Sequence, residues 1–177
     1  MFSWCIPGSA AKTRWHVADI VDKQTRSRMM AGIKGKDTKP ELMLRKALHA
    51  RGFRFRLHAE DVPGRPDLVF AKHQAVVFVH GCFWHRHSDC RYATTPSTRP
   101  DFWRGKFDAN IARDGAVVEA LLDRRWRVAT VWECALRKPD TIQVTVDSVC
   151  KWLLSDSRRL EVGEREAQLD QGDGHSH

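Results

Sequence analysis

The chain of 177 residues has no apolar run of about 18 residues, so no membrane-spanning helix is expected. Its first residues, MFSWCIPGSAAKTRW, lack the apolar stretch of a secretory leader, and an intracellular, cytoplasmic protein with reduced thiols is expected. Internal repeats are absent. Five cysteines do not make an even set, and three of them stand near histidines or carboxylates, which favours metal ligation over disulfides. Acidic residues are scarce where basic ones crowd. Between Asp22 and Arg56 eleven Lys or Arg face only Asp22, Asp37 and Glu41, within a net charge of +8. Such a block suits a phosphate backbone, through counterion release.

Hydrophobic residues make up 42% of the chain, enough for one domain with its own core. Residues 1–18 show no periodicity and read as a disordered extension. A helix is expected over 25–34. Thr38-Lys39-Pro40-Glu41 then reads as a capping box opening a helix over 39–51, with Leu44, Ala47 and Leu48 on one face. Phe53–Leu57 alternates with strand period, Pro63-Gly64 marks a turn, and 67–70 and 75–79 read as strands joined through Lys72-His73-Gln74. A Thr/Ser/Pro-rich loop at 93–100 precedes a helix over 101–123. A strand over 127–132 and a helix over 140–154 follow. From Ser155 the chain turns polar and is expected to be disordered to its end, leaving residues 19–154 as the folded domain. The order implies an α/β domain, a mixed sheet flanked by helices.

Arg65-Pro66-Asp67 sets a carboxylate at the head of a short strand. In nucleases of the PD-(D/E)xK type such an Asp and an acid-x-Lys triplet on the next strand hold Mg²⁺, a hard cation that favours oxygen ligands. Here the triplet is Phe78-Val79-His80, with neither the acid nor the lysine. Asp67 would then hold the ion with backbone carbonyls, Val79 the nearest. The base would be His80 or His85, since neutral imidazole is competent near pH 7.

Cys82, His87 and Cys90 lie close together, and Cys134 follows the later strand. They make a Cys₃His set suited to structural Zn²⁺. His85, two residues before His87, is the competing histidine for that set. Phe83 and Trp84 would stand at the tip of a loop pinned by that metal. Rigid outward rings beside a basic surface can wedge into a base step; packing inward as core is the alternative.

The segments GRPD, VFVHGCFWHRH and RRWRVATVWECALR together resemble the very short patch repair endonuclease family, over about Asp22 to Arg137. Those bacterial enzymes nick one strand of DNA at a T:G mismatch left by deamination of 5-methylcytosine. The resemblance implies a restriction-endonuclease-like core with a structural Zn²⁺ and a Mg²⁺-dependent site. It assigns Mg²⁺ to Asp67 and the Val79 carbonyl, and the general base to His85, oriented by Asp114. His80 would support the phosphate or leaving group. Zn²⁺ falls to Cys82, His87, Cys90 and Cys134. Phe83 and Trp84 become the intercalating wedge and Met30 an apolar probe from the opposite groove, with Lys106 and Asn110 also facing DNA. Glu41 matches an acidic residue near the active site, although its place in the capping box explains it equally well. Implied partners are double-stranded DNA carrying a T:G mismatch and a mismatch-repair protein; a monomer with no membrane association is expected. A restriction-type enzyme cutting both strands and a non-catalytic zinc-stapled DNA-binding module are the other readings.

Overall fold

The computed structural model describes residues 24–25 and 36–169. The chain divides into two units, residues 1–32 and 33–177, and the sheet and its helices belong to the second. The expected extension 1–18, most of the helix over 25–34 and its Met30 lie outside the described residues.

The elements run α1 (Lys39–Ala50), β1 (Arg56–Leu57), β2 (Leu68–Phe70), β3 (Ala75–His80), α2 (Cys82–His85), α3 (Pro100–Asp123), β4 (Arg127–Trp132), α4 (Pro139–Leu154), β5 (Arg159–Val162) and α5 (Glu164–Leu169). The five strands form one mixed sheet in the order β1-β2-β3-β4-β5. The first two pairings are antiparallel, and β3–β4 and β4–β5 are parallel. This is the α/β architecture the sequence implied.

Alternation along β3 divides the core. Ala75 and Val77 face α1 and α4, packing with Leu44, Leu48, Val149 and Trp152. Val76 and Phe78 face the other way, against Leu121 and Leu122 of α3. Phe78 is buried there, which accounts for the missing acid of the nuclease triplet: the position has become core. A residue like Leu121, fully buried, contributes about 1.5–3 kcal/mol by leaving water.

Two expectations need correction. Phe53–Leu57 pairs as a strand only at Arg56–Leu57, because Phe53 and Phe55 turn their rings onto Phe70, at centroid distances of 6.2 and 5.4 Å. The tail expected to be disordered from Ser155 is ordered through 169. Its β5 extends the sheet beside β4, and Val162 and Ala167 bury against Ala135. A short, polar edge strand of this kind draws its order from tertiary contact and leaves little periodic signal.

Candidate active site and metal centre

The sheet's C-terminal edge gathers the chemistry. Pro63-Gly64 turns the chain beneath α3 so closely that a Cβ at Gly64 would stand 2.3 Å from Val117 Cγ1, and φ there is +76°. This turn delivers Asp67 to the head of β2. The side chain of Asp67 bends across to β3, where Oδ2 accepts the Val79 N–H at 2.7 Å. Burial pushes the Asp67 carboxyl up to about 6, against the pull of that hydrogen bond, and the nearby Glu41 charge adds to the rise.

His80 ends β3 and His85 ends the single turn of α2. Their rings stack at 3.9 Å with 9° between planes. His85 Nδ1 meets Asp114 Oδ2 of α3 at 2.5 Å. A carboxylate only accepts, so this contact puts the proton on Nδ1 and leaves Nε2 with a free lone pair. Burial pushes the Asp114 carboxyl up, but the His85 hydrogen bond and the charges around it outweigh this and hold it below the usual carboxylate range. His80 is driven down to about 3 by burial and by the neighbouring His85, so it is neutral near pH 7. It can donate or accept a hydrogen bond there but cannot deliver a proton as a cation. Asp67, Val79, His80, His85, Asp114 and Glu41 all line one cleft of about 250 Å³.

Glu41 does more than the capping box predicted, and does it differently. Thr38 is the N-cap residue but makes no side-chain cap; its hydroxyl donates to Glu41 Oε1 at 2.8 Å. Glu41 Oε2 accepts the Asp37 N–H and Arg45 Nη2, each at 2.9 Å. Arg45 is buried, and it also reaches Asp37 Oδ1 at 2.5 Å and His58 Nε2 at 3.0 Å. Arginine only donates, so His58 accepts and turns its Nδ1–H towards Asp67 Oδ1, 3.9 Å away. Sequence reading found Glu41 but missed Arg45 and His58, which no local pattern joins.

Cys82, His87, Cys90 and Cys134 bring their ligand atoms within 4.8 Å of one another. Zn–S bonds of about 2.3 Å and Zn–N bonds of about 2.0–2.1 Å give a tetrahedron with edges of roughly 3.5–3.8 Å. The His87 Nδ1 distances of 3.4 Å to Cys134 Sγ and 3.8 Å to Cys82 Sγ match that figure. His85 is committed to Asp114, so the competition between the two histidines falls to His87. Cys134, hydrogen-bonded by Cys82, is pushed down to about 6, while its partner Cys82 is pushed up. Among the described residues two further groups, His80/His85/Asp114 and Asp37/Glu41/His58, are as compact. The first has its His85 nitrogen occupied by Asp114, and the second encloses the Arg45 cation.

The aromatic pair is neither a free tip nor core. Phe83 and Trp84 are half-buried, edge to face at 5.0 Å. Phe83 packs on Trp103 and Phe107 at 5.6 and 5.3 Å, and only Phe107 of the four is buried. The rings lean on α3 because an unsupported apolar pair would leave that surface in water. Asn110 Nδ2 donates to the Trp84 carbonyl at 2.9 Å, and Lys106 Nζ stands 5.8 Å over the Trp84 ring. The sequence places Trp103 only within the helix expected over 101–123. Its spacing of four from Phe107, with Lys106 between, was the available signal.

A family model described as DNA mismatch endonuclease Vsr matches residues 18–92. The chain is 37% identical over 148 residues to the DNA mismatch endonuclease Vsr of Escherichia coli strain K12, covering 82% of this chain and 94% of that one. The chain belongs to the Vsr family of DNA mismatch endonucleases. It is also similar to the type II nicking enzymes V.XorIIP of Xanthomonas oryzae pv. oryzae and V.NmeAIP of Neisseria meningitidis. Identity is 46% over 120 residues with the first and 40% over 121 with the second, 68% of this chain in both cases and 88% and 86% of theirs. The mixed five-stranded sheet with flanking helices agrees with the restriction-endonuclease-like Vsr fold.

Within this Vsr-family fold both centres hang on the β3–β4 pair. His80 of β3 lies opposite Trp132 of β4 in register. The Trp132 ring stacks under His87 at 4.3 Å and meets His80 edge-on at 5.5 Å.

Proposed function

We propose that this protein nicks one strand of duplex DNA on the 5′ side of the mismatched thymine at T:G pairs, the first step of very short patch repair after 5-methylcytosine deamination. The observation that carries the reading is the His85–Asp114 pair opening into the same cleft as Asp67. Asp67 and the Val79 carbonyl would hold Mg²⁺, a donor set of hard oxygens that fits this ion. Bound there, Mg²⁺ supplies charge stabilisation on the phosphate and the departing 3′ oxygen. His85 takes the proton of the attacking water through Nε2, while Asp114 fixes its tautomer and steadies the cation that forms. His80, held neutral, donates a hydrogen bond to the phosphate or the departing oxygen.

Phe83, Trp84 and Trp103 form the wedge, braced from below by Phe107. A wobble pair opens at lower cost than a matched one, so wedge insertion itself selects mismatched DNA. Lys106 and Asn110, beside Trp84, face the opened step. Cys82, His87, Cys90 and Cys134 hold a structural Zn²⁺ that fixes the loop carrying the wedge. One chain contains every group the cut requires, so a monomer suffices, working on nucleoid DNA in the bacterial cytoplasm.

A gel with T:G and matched duplexes, each with Mg²⁺ and with a chelator, tests the reading. Cutting of the thymine strand alone, in the T:G duplex alone and with Mg²⁺ alone, is expected. Breaks in both strands point to a restriction-type enzyme, and binding without cutting points to a non-catalytic module.

Asp114→Asn should lower single-turnover nicking by about 10²–10⁴-fold, the usual weight of acid–base catalysis, with DNA binding unchanged. Glu41→Gln keeps hydrogen bonds at that position but removes the charge facing Arg45 and the cleft. We expect nicking to fall at least about tenfold with zinc content and DNA affinity intact. Glu41→Ala should instead destabilise the fold by roughly 1.5–3 kcal/mol, because it removes the buried partner of the Arg45 guanidinium and leaves it only the exposed Asp37 carboxylate and the His58 ring. Urea denaturation of the two variants separates the effects, and full activity in Glu41→Gln would reduce Glu41 to a structural role.

A further inference from the structure

The segment after α4 closes over the cysteine cluster, and nothing in the reaction uses it. Gly163 is buried between β5 and α5. A Cβ added there would stand 2.6 Å from His87 Cε1 and 2.9 Å from His87 Nε2, and 2.7 Å from Glu166 Oε2. Glu166 cannot swing aside freely, since the same oxygen accepts the Gly163 N–H at 2.9 Å. Only a residue without a side chain lets the His87 ring keep its place with Nδ1 towards the thiols. The next residue adds a direct contact: the Glu164 N–H donates to Cys134 Sγ at 3.3 Å.

Ion pairs fasten the segment to both ends of the ligand set. Glu164 Oε1 takes Lys138 Nζ at 2.7 Å and Arg91 Nη2 at 3.3 Å. Arg165 reaches back to the Asp89 carbonyl at 3.2 Å. Behind the cluster, Glu161 Oε1 accepts the Trp132 indole N–H at 2.7 Å, which fixes the ring on which His87 stacks.

We infer that residues 161–166 are the outer shell of the metal centre, with Gly163 positioning His87 and the Glu164 backbone N–H orienting the Cys134 sulfur. The inference rests on the reading of the cysteine cluster as a Zn²⁺ site. Groups that hydrogen-bond or buttress metal ligands set both affinity and the kinetics of loss, and removing one costs about 10–100-fold in affinity. The tail is therefore part of the metal site, although it contributes no ligand atom.

Zinc release into an excess of chelating dye, followed by absorbance on the full chain, tests this. Glu164→Pro removes the N–H at the first position of α5, where proline is tolerated; Glu164→Ala keeps the N–H and removes only the carboxylate. Release about tenfold faster in Glu164→Pro than in Glu164→Ala is expected. Gly163→Ala should likewise release about tenfold faster than Gly115→Ala, whose added Cβ meets nothing within 4 Å. In cobalt-loaded protein the thiolate-to-cobalt band should move to lower energy in Glu164→Pro only, a change that mere loosening of the tail would not produce. Equal release rates within both pairs, with an unmoved band, overturn the inference. The Gly163 pair decides alone if Glu164→Pro does not fold. A wild-type chain that holds no zinc overturns both the inference and the metal assignment beneath it.

Discussion

Replacing Asp67 with Asn is expected to abolish nicking and, without added Mg²⁺, to make the protein more stable. On the proposed reading the carboxylate would be the cleft's main oxygen ligand, and losing a metal's charge stabilisation removes several kcal/mol from the transition state, about 10³-fold or more in rate. The stability gain follows from burial. The folded-state carboxyl sits near 6 against an ordinary 3.8, so charging it in the cleft opposes folding. Below about pH 3 the group is protonated in both states and carries no penalty. As pH rises from there to about 6 the unfolded chain ionises first, and the penalty grows to about 3 kcal/mol, at roughly 1.4 kcal/mol per unit. Asn can still accept the Val79 N–H, so the packing survives. Melting curves of wild type and Asp67→Asn should therefore coincide near pH 3, diverge from about pH 4 and be fully separated above pH 6, with the variant melting higher. Wild type melting as high as the variant at pH 7.5 would show that Asp67 is not held at a cost.

On the proposed zinc reading, Cys134→Ser should empty the cysteine cluster of metal and unfold the loop around it. Structural zinc contributes on the order of 10 kcal/mol in small metal-folded units, comparable to the whole stability of an ordinary domain. Three remaining ligands, one of them a histidine, would not hold it. Metal content by mass spectrometry should fall from one zinc to none, near-UV dichroism should collapse, and T:G binding should go with it. Cys150→Ser is the control. That thiol lies on α4 beside Arg51, outside the cluster, and its loss should leave zinc and nicking unchanged.

The clustering of both candidate centres was legible in the sequence to the extent that their members were close neighbours or stood on strongly patterned strands. Asp67 and the cysteine set follow from residue chemistry and from strands that β2, β3 and β4 confirm. The supports were not legible. Arg45 and His58 are thirteen residues apart and meet only because α1 and the loop before β2 fold together. The tail from Ser155 looked solvated because its order is supplied by β4 and the cysteine cluster rather than by its own hydrophobic pattern. Phe83 and Trp84 were found as a pair, but how far they are exposed depends on Trp103 and Phe107, which come from a helix with its own apparent reason to be apolar. Pattern reveals groups that do chemistry more readily than groups that brace them, because bracing is a property of the assembled surface.

From His85 through His80 and Trp132 to His87, each ring touches the next, first face to face, then edge-on, then face to face again. Such a file leaves no soft layer at which the two centres could part company. Heat inactivation should therefore be a single cooperative event, with catalytic competence and metal retention vanishing at one temperature, rather than a fading of activity in a protein that still keeps its zinc.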